Sequence, residues 1–379
     1  MAHSFDTDVL IIGGGPAGLA AGIAARRQGL RAMVVDCSAP AIDKACGEGL
    51  MPDSVEVLQD LGVSLHGYET GEFGGIKFVG REDSVAADFP HGRGHGIRRL
   101  LLHEAFVNHA ASCGVEMVWL ARVTLSGSPE FAGKQAASVS VNGTRIRSRW
   151  IVGADGQNSN VRRWAGLDDA HISASRFGLR QHFRVKPWSD YVEIFWGELG
   201  QAYVTPVGRE EICIALISRE RFASFDVGLQ HFPALAAHLH GADATSTPRG
   251  AMTVSRRLKS VARCNVALIG EASGSVDAIT GEGLAMAFRQ ALALAPAMAG
   301  GNLSTYQQAH PQIMNLPGFM ARSMLLLDNN AWLRRRALRA FAREPRLFKQ
   351  LLSVHVGELP LAQLGARGLV NLGWRVLRA

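Results

Sequence analysis

The sequence holds no apolar run of the roughly 18 residues that a membrane-spanning helix requires, so a helical integral membrane protein is not expected. A leader layout, charged and then apolar, is also missing. Met1 to Thr7 is short and polar and leads straight into a strand-like run, so a cytoplasmic protein is expected. Cysteine is scarce. The five residues Cys37, Cys46, Cys113, Cys213 and Cys264 lie far apart and form no CxxC pair. That scatter argues against a disulfide framework and against a zinc site, and no metal is expected. Internal repeats and low-complexity tracts are absent. Aromatic residues do not interleave with basic ones in an RNA-binding pattern, so the net charge of +7 is not read as a nucleic-acid signal.

What is present is a chain of 379 residues, long enough to bury a large core in more than one structural unit. Hydrophobic residues make up 47% and charged residues 19%, the balance of a globular protein. The basic excess has a location: Arg334, Arg335, Arg336, Arg339, Arg343, Arg346 and Lys349 share one C-terminal stretch. Two readings stand, a solvated basic helix face or peripheral contact with an anionic membrane surface.

Asp8-Val9-Leu10-Ile11-Ile12 has the short apolar run of a buried parallel strand. Ala17 to Gln28 is rich in Ala and stops at Gly29, a helix ending. Arg31 to Val35 reads as a second strand, which completes one βαβ unit at Asp36. Helices are predicted over residues 54–61 and 99–113, and strands over 115–119 and 150–153. Between residues 177 and 218 the period changes to two: Phe177, Leu179, Phe183 and Val185 alternate, as do Val192, Ile194 and Trp196. Ile212, Ile214 and Leu216 continue it, which predicts antiparallel strands with one wet or cavity-lining face. Residues 266–269 return to the buried parallel pattern, and a helix follows over 283–294. From Leu316 the chain reads as helical, amphipathic and basic, with breaks at Pro345 and Pro360.

Three glycine-bearing turns carry the chemistry. Gly13-Gly14-Gly15-Pro16-Ala17-Gly18 matches GxGxxG between a predicted strand and a predicted helix. The glycine at 13 makes the tight turn, that at 15 lets backbone approach a pyrophosphate, and that at 18 permits close helix–strand packing. The phosphates then meet free N–H groups at the positive end of the helix. Asp36 closes the second strand, where a carboxylate accepts hydrogen bonds from ribose hydroxyls. This fingerprint predicts a dinucleotide but does not separate NAD from FAD. The separation comes from Asp155-Gly156, after a buried strand, and from Gly270-Glu271 with Gly281-Glu282-Gly283. Each places a carboxylate where ribityl hydroxyls or the pyrophosphate would lie, and the last starts a helix whose dipole stabilises an anionic reduced flavin. FAD is therefore the expected cofactor.

These motifs, in this order, resemble those of the flavoproteins with the para-hydroxybenzoate hydroxylase fold: an N-terminal GxGxxG, a mid-chain DG and a later GD. Glu271 stands where that superfamily has Asp, and Arg99 matches its FAD-contacting arginine at a helix start. The resemblance covers roughly residues 6 to 300 and implies an α/β fold. It consists of an FAD-binding Rossmann-like domain (residues 1–70, 95–170 and 255–315), an inserted antiparallel substrate domain (71–94 and 171–254) and a C-terminal helical segment (316–379). Within the superfamily, Lys44-Ala45-Cys46-Gly47 resembles the K-x-C-G loop of the geranylgeranyl reductases, which lies beside the flavin. Asp277 to Gly283 resembles their D-P-L-T-G-E-G, with Ala278 in place of Pro. Their Y-x-W-x-F-P corresponds to Gln201-Ala202-Tyr203-Val204-Thr205-Pro206, which keeps an aromatic and the Pro. The W-x-W-x-I-P of the flavin halogenases is absent.

The resemblance implies an FAD-dependent oxidoreductase that acts on a small hydrophobic substrate, prenyl, polyketide or lipid-like, by flavin hydride transfer. The alternatives are a monooxygenase using NAD(P)H and O₂, and a flavin-binding protein without activity. No separate nicotinamide domain is evident, so NAD(P)H, where it serves as reductant, docks transiently. Cys46 and Glu48 are the candidate proton donors of the flavin loop. Phe195, Trp196 and Tyr203 are candidate wall residues of a sheet roof over the flavin. Met314, Met320, Met324 and the run Leu325–Leu327 either cover the cavity or pack helices together.

Overall fold

In the computed structural model, residues 5–127 and 138–360 are described. The buried apolar runs assemble as a parallel sheet in the order Ala262–Arg263, Val266–Leu268, Thr144–Gly153, Thr7–Ile12, Ala32–Val35, Glu116–Val118. The Ala262–Arg263 edge is antiparallel to its neighbour. Both faces are covered, which explains why the strands read as continuous rather than alternating apolar runs. Helices Pro16–Arg27, Arg99–Ser112 and Gly283–Ala299 cover one face through Leu19, Ile23, Phe106, Phe288 and Leu294. Leu10, Ile12, Val35, Ile151 and Leu268 pack on the other. Helix Pro16–Arg27 starts at its proline, which has no N–H to lose at the first helical position.

A second sheet runs Asp243–Ala244, His171–Arg184, Ile212–Ser218, Gly200–Pro206, Tyr191–Trp196, Gly75–Val79, Ser84–Asp88, with Arg249–Arg257 also paired to His171–Arg184. It is antiparallel except where Tyr191–Trp196 meets Gly75–Val79 in parallel. The period of two predicts one wet or cavity-lining face, and the face is cavity-lining: Ile194, Tyr203 and Ile217 line a cavity, while Gly200–Pro206 and Ile212–Ser218 are buried at every position. One face packs Phe195, Val204, Ile214 and Leu216 against Phe225, Phe232 and Leu235 of two short helices. The other turns Phe78, Ile194, Tyr203 and Ile217 towards the first sheet's cofactor turns and the C-terminal helices.

The C-terminal helices begin earlier than the sequence reading places them. Helix Ser304–Asn329 runs through Pro311 and Pro317, and helices Ala331–Arg343 and Pro345–His355 follow. Pro345 is a break that starts the next helix. The last described helix ends at His355, and the expected break at Pro360 adjoins residues 361–379, which lie outside the described residues. A buried polar network anchors these helices. The Arg176 guanidinium donates to Asp277 at 2.7 and 3.2 Å, to Asp328 at 3.3 Å and to Gln201 at 2.9 Å. Arg334, one of the seven residues of the basic stretch, is buried and donates to the Leu327 and Asp328 carbonyls.

Candidate active site

The three glycine turns touch one another. A methyl group on Gly13 would lie 2.3 Å from the Ala154 oxygen, and one on Gly270 would lie 2.9 Å from Ala17 Cβ. One on Gly156 would reach within 3.9 Å of Glu271 Oε2. Parallel pairing enforces this meeting: the Ala154 N–H donates to Ile12 O at 2.8 Å, and the Ile269 N–H to Gly153 O at 2.9 Å. The turns open onto one cavity of about 1350 Å³. Ordinary small-molecule pockets span roughly 300–1,000 Å³, so this cavity has room for a dinucleotide and a second molecule.

At the dinucleotide end, Gly13, Gly15, Pro16, Ala17 and Asp36 line the wall. A methyl on Gly15 would meet no atom within 4 Å, so this side of the turn is open. The helix behind it has no side-chain cap and no acidic residue in its first turn, which leaves its N–H groups for an anion. Gly18 faces away from the cavity: a methyl there would lie 1.8 Å from Gly13 O, so it serves helix–strand packing. Asp36 accepts the Gly14 N–H at 2.6 Å and the Ser38 N–H at 2.7 Å. These bonds fix the turn and leave carboxylate lone pairs for a ribose. His103 bonds the Gly14 oxygen at 2.8 Å from beneath. Burial pushes its pKa down, so the neutral ring donates that hydrogen bond.

Asp155 lines the cavity, but its carboxylate caps the Asn160–Trp164 helix through the N–H groups of Asn160 at 2.7 Å and Val161 at 3.1 Å. Gly156 is the open member of that pair, held at φ +76. Lys44 and Glu271 both line the cavity and form an ion pair with each other. Gly281 and Gly283 flank the start of helix Gly283–Ala299, again without a side-chain cap. Arg99 is buried on the cavity wall, and its Nε has no hydrogen-bond partner. An uncapped helix start, an open glycine face and an orphaned guanidinium nitrogen suit a pyrophosphate, so these residues fit FAD.

The flavin loop is held rigidly. Glu48 sits at φ +60, a conformation that non-glycine residues rarely adopt and that needs outside support. Support comes from the Ile97 N–H on its carbonyl at 2.9 Å and the Arg99 N–H on Oε1 at 2.9 Å. Cys46 is half-buried on the cavity wall, and its sulfur accepts the Glu48 N–H at 3.4 Å. Behind the loop, Glu48 Oε2 meets His182 Nε2 at 2.6 Å. Arg180 donates to His182 Nδ1 at 3.2 Å, which leaves Nε2 to carry the hydrogen towards Glu48. Ser246 Oγ lies 2.9 Å from the same Nδ1 and is half-buried, so the chain of groups ends near solvent. Glu48, His182 and Cys213 fall within 4.8 Å of one another. The direct 2.6 Å bond, with Arg180 Nε 3.6 Å from Glu48, makes this a hydrogen-bonded group and not a cation cage. Burial pushes the Cys213 thiol well up, so it remains a weak donor to the Cys46 oxygen at 3.8 Å.

Beyond this loop the cavity is apolar. Phe78, Val192, Ile194, Tyr203 and Ile217 line it from the second sheet, joined by Phe73 of the short strand Gly71–Phe73. Met314, Met320, Met324, Leu326 and Leu327 line it from the long C-terminal helix, while Leu325 packs into the adjoining core. Tyr203 is therefore a wall residue, its hydroxyl donating to Ile279 O at 2.8 Å. Trp196 instead packs edge-on to Phe78, with ring centres 5.5 Å apart, and Phe195 points to the far face of the sheet.

Two further titratable groups stand here, Glu282 from the third glycine turn and His355 from outside every motif. Glu282 is buried one residue from the glycines of its loop, and His355 lines the cavity 3.6 Å from it. Burial, with the charge of Asp53 second, pushes Glu282 up to about 8. Burial pushes His355 down, so at neutral pH the pair is largely carboxylic acid beside neutral imidazole.

A protein-family model described as "FAD binding domain" matches residues 6–220. "Menaquinone reductase" of Mycolicibacterium smegmatis is 27% identical over 346 residues, 84% of each chain. "Digeranylgeranylglycerophospholipid reductase" of Thermoplasma volcanium is 26% identical over 303 residues, 74% of each. Among solved structures, a flavoprotein/dehydrogenase from Cytophaga hutchinsonii superposes with a TM-score of 0.81 at 19% identity, covering 98% of this chain and 99% of that one.

Proposed function

The chain belongs to the FAD binding domain family, and from that premise we propose that this FAD-dependent oxidoreductase reduces a prenyl-bearing, lipid-like substrate by flavin hydride transfer. The observation that carries the reading is the single cavity. It joins the three glycine turns to a chamber walled by Phe78, Ile194, Tyr203, Ile217 and the methionines of helix Ser304–Asn329. Aromatic, branched and flexible thioether side chains together suit a long, irregular apolar ligand. The names of the two reductase relatives, one a quinone reductase and one a lipid reductase, support the same substrate class.

Gly15, Ala17, Asp36, Arg99, Gly156, Glu271 and Gly283 would hold FAD, with Lys44 paired to Glu271 at the cavity wall. Bound reduced FAD supplies two electrons and one proton as hydride. The chain has to supply the second proton and keep water away. In this reading Cys46 or Glu48 delivers that proton into the chamber, and His182 refills Glu48 across the 2.6 Å bond. Ser246 connects His182 Nδ1 towards solvent, so the proton crosses the wall without opening the chamber.

The same dry chamber would also serve an oxygen-dependent hydroxylation with NAD(P)H as reductant. The two chemistries part on oxygen. Anaerobic reoxidation of the reduced protein by a prenylated naphthoquinone supports the reductase, whereas substrate-stimulated O₂ uptake with NAD(P)H supports the monooxygenase.

A further inference from the structure

The outer face of helix Ala331–Arg343 combines features found together nowhere in the site just described. Its buried side is formed by Arg334, Ala337, Leu338, Ala340 and Phe341. On the opposite side, at helical spacing, stand Trp332, Arg335, Arg336, Arg339 and Arg343. No acidic residue occurs between Asp328 and Glu344. Trp332 is 50% exposed, and the Arg336 guanidinium lies 4.6 Å over its ring. Arg339 is engaged in ion pairs with Glu82 and Asp83, each at 3.8 Å, so the exposed cations of this face are Arg335 and Arg343. The next helix adds exposed Arg346 and Lys349. At the end of the preceding helix, Leu326 is 57% exposed and also lines the cavity.

We propose that this face docks the protein on an anionic lipid bilayer. The arginines would meet anionic headgroups, and Trp332 and Leu326 would enter the interfacial layer. Charge complementarity argues for the lipid, since each basic side chain near an anionic bilayer strengthens attachment about fivefold. Tryptophan adds an amphipathic ring suited to the headgroup level. A second copy of the chain meeting this face about a two-fold axis would set arginine against arginine. A nucleic acid would engage the arginines but offer Leu326 no apolar phase. The inward side of the same helix places Leu333, Ala337 and Phe341 on the cavity wall, so a docked bilayer would lie against the apolar chamber. That last link rests on the apolar-substrate reading, but the docking itself does not.

Sedimentation of the full chain with vesicles tests the proposal without substrate or turnover, so its outcome is independent of the proposed reaction. Vesicles of phosphatidylcholine with phosphatidylglycerol are expected to carry the protein down at low salt and to release it as salt rises. Pure phosphatidylcholine vesicles are expected not to bind it. Arg335→Glu with Arg343→Glu should weaken the association about tenfold or more, and Trp332→Ser should weaken it independently, with both variants melting like the parent. Failure to sediment with the anionic vesicles would overturn the proposal. So would equal binding by the charge-reversed variant, tighter binding to duplex DNA than to the vesicles, or a dimer that Trp332→Ser dissociates.

Discussion

Glu48 and His182, 134 positions apart in the chain, meet in a buried 2.6 Å hydrogen bond directly behind the cavity wall. Glu48 lines the cavity just before strand Gly49–Leu50, and His182 reaches it from the strand His171–Arg184. An apolar chamber with one acid connected towards solvent is the arrangement that hydride chemistry on a greasy substrate needs.

Glu48→Gln should therefore slow reduction of a prenylated quinone about 100-fold or more, while the protein still retains FAD. His182→Gln should slow it in the same direction and shift its pH profile. Stopped-flow reoxidation across pH is the measurement. Unchanged rates in both variants would assign the proton to Cys46.

Gly15→Leu tests the phosphate cradle separately from folding. Backbone φ at this position is −70, and a Cβ there would have no neighbouring atom within 4 Å. The variant should fold with stability within about 1 kcal/mol of the parent, yet be purified without flavin. Gly18→Leu should instead unfold the protein, because its first side-chain atom collides with Gly13 O. Thermal melts and flavin absorbance distinguish the two.

Arg176→Leu leaves Asp277 buried without its cation, while Asp328 keeps Arg219 at 3.3 Å. Removing one member of such a buried network costs about 3–5 kcal/mol. Urea unfolding should show that loss. A loss below about 1 kcal/mol would mean that the network does not anchor the C-terminal helices to the sheet.

The Glu282 pKa, pushed up to about 8 from an ordinary 4.5, gives a signed pH dependence. Between those values folded Glu282 holds a proton that the unfolded chain has released. Its contribution is complete below pH 4.5 and is lost as pH rises towards 8. His355, pushed down by burial, works in the opposite sense, losing its contribution as pH falls through its lowered pKa. Glu282→Gln should flatten the decline of the melting temperature between about pH 5 and pH 8 and melt above the parent at about pH 9. Parallel curves would contradict the assignment.

The glycine turns were legible because each glycine answers a local demand: closeness to Ala154 at Gly13, an open face at Gly15, packing at Gly18. The α/β order was legible for the same reason, since strands buried on both faces read as unbroken apolar runs. His182 was harder to see because its partner lies in a distant loop. A signal existed in Arg180-Gln181-His182, three consecutive polar residues inside a predicted strand. His355 gave no such signal, because only the fold brings the last described helix over the glycine loop that carries Glu282. The sheet's second buried face was also hidden: alternation shows that the two faces differ but not that short helices cover one of them. Pro311 concealed the early start of the long helix, since a proline inside a helix is read as a break.

The most direct test is anaerobic. The purified protein, loaded with FAD and reduced chemically, is mixed with a naphthoquinone bearing a prenyl chain while the flavin's visible band is followed. The account predicts reoxidation without oxygen, faster for long prenyl chains than for the bare ring, with reduced quinone as the product. Reoxidation that waits for oxygen, or a rate indifferent to the prenyl chain, would contradict it.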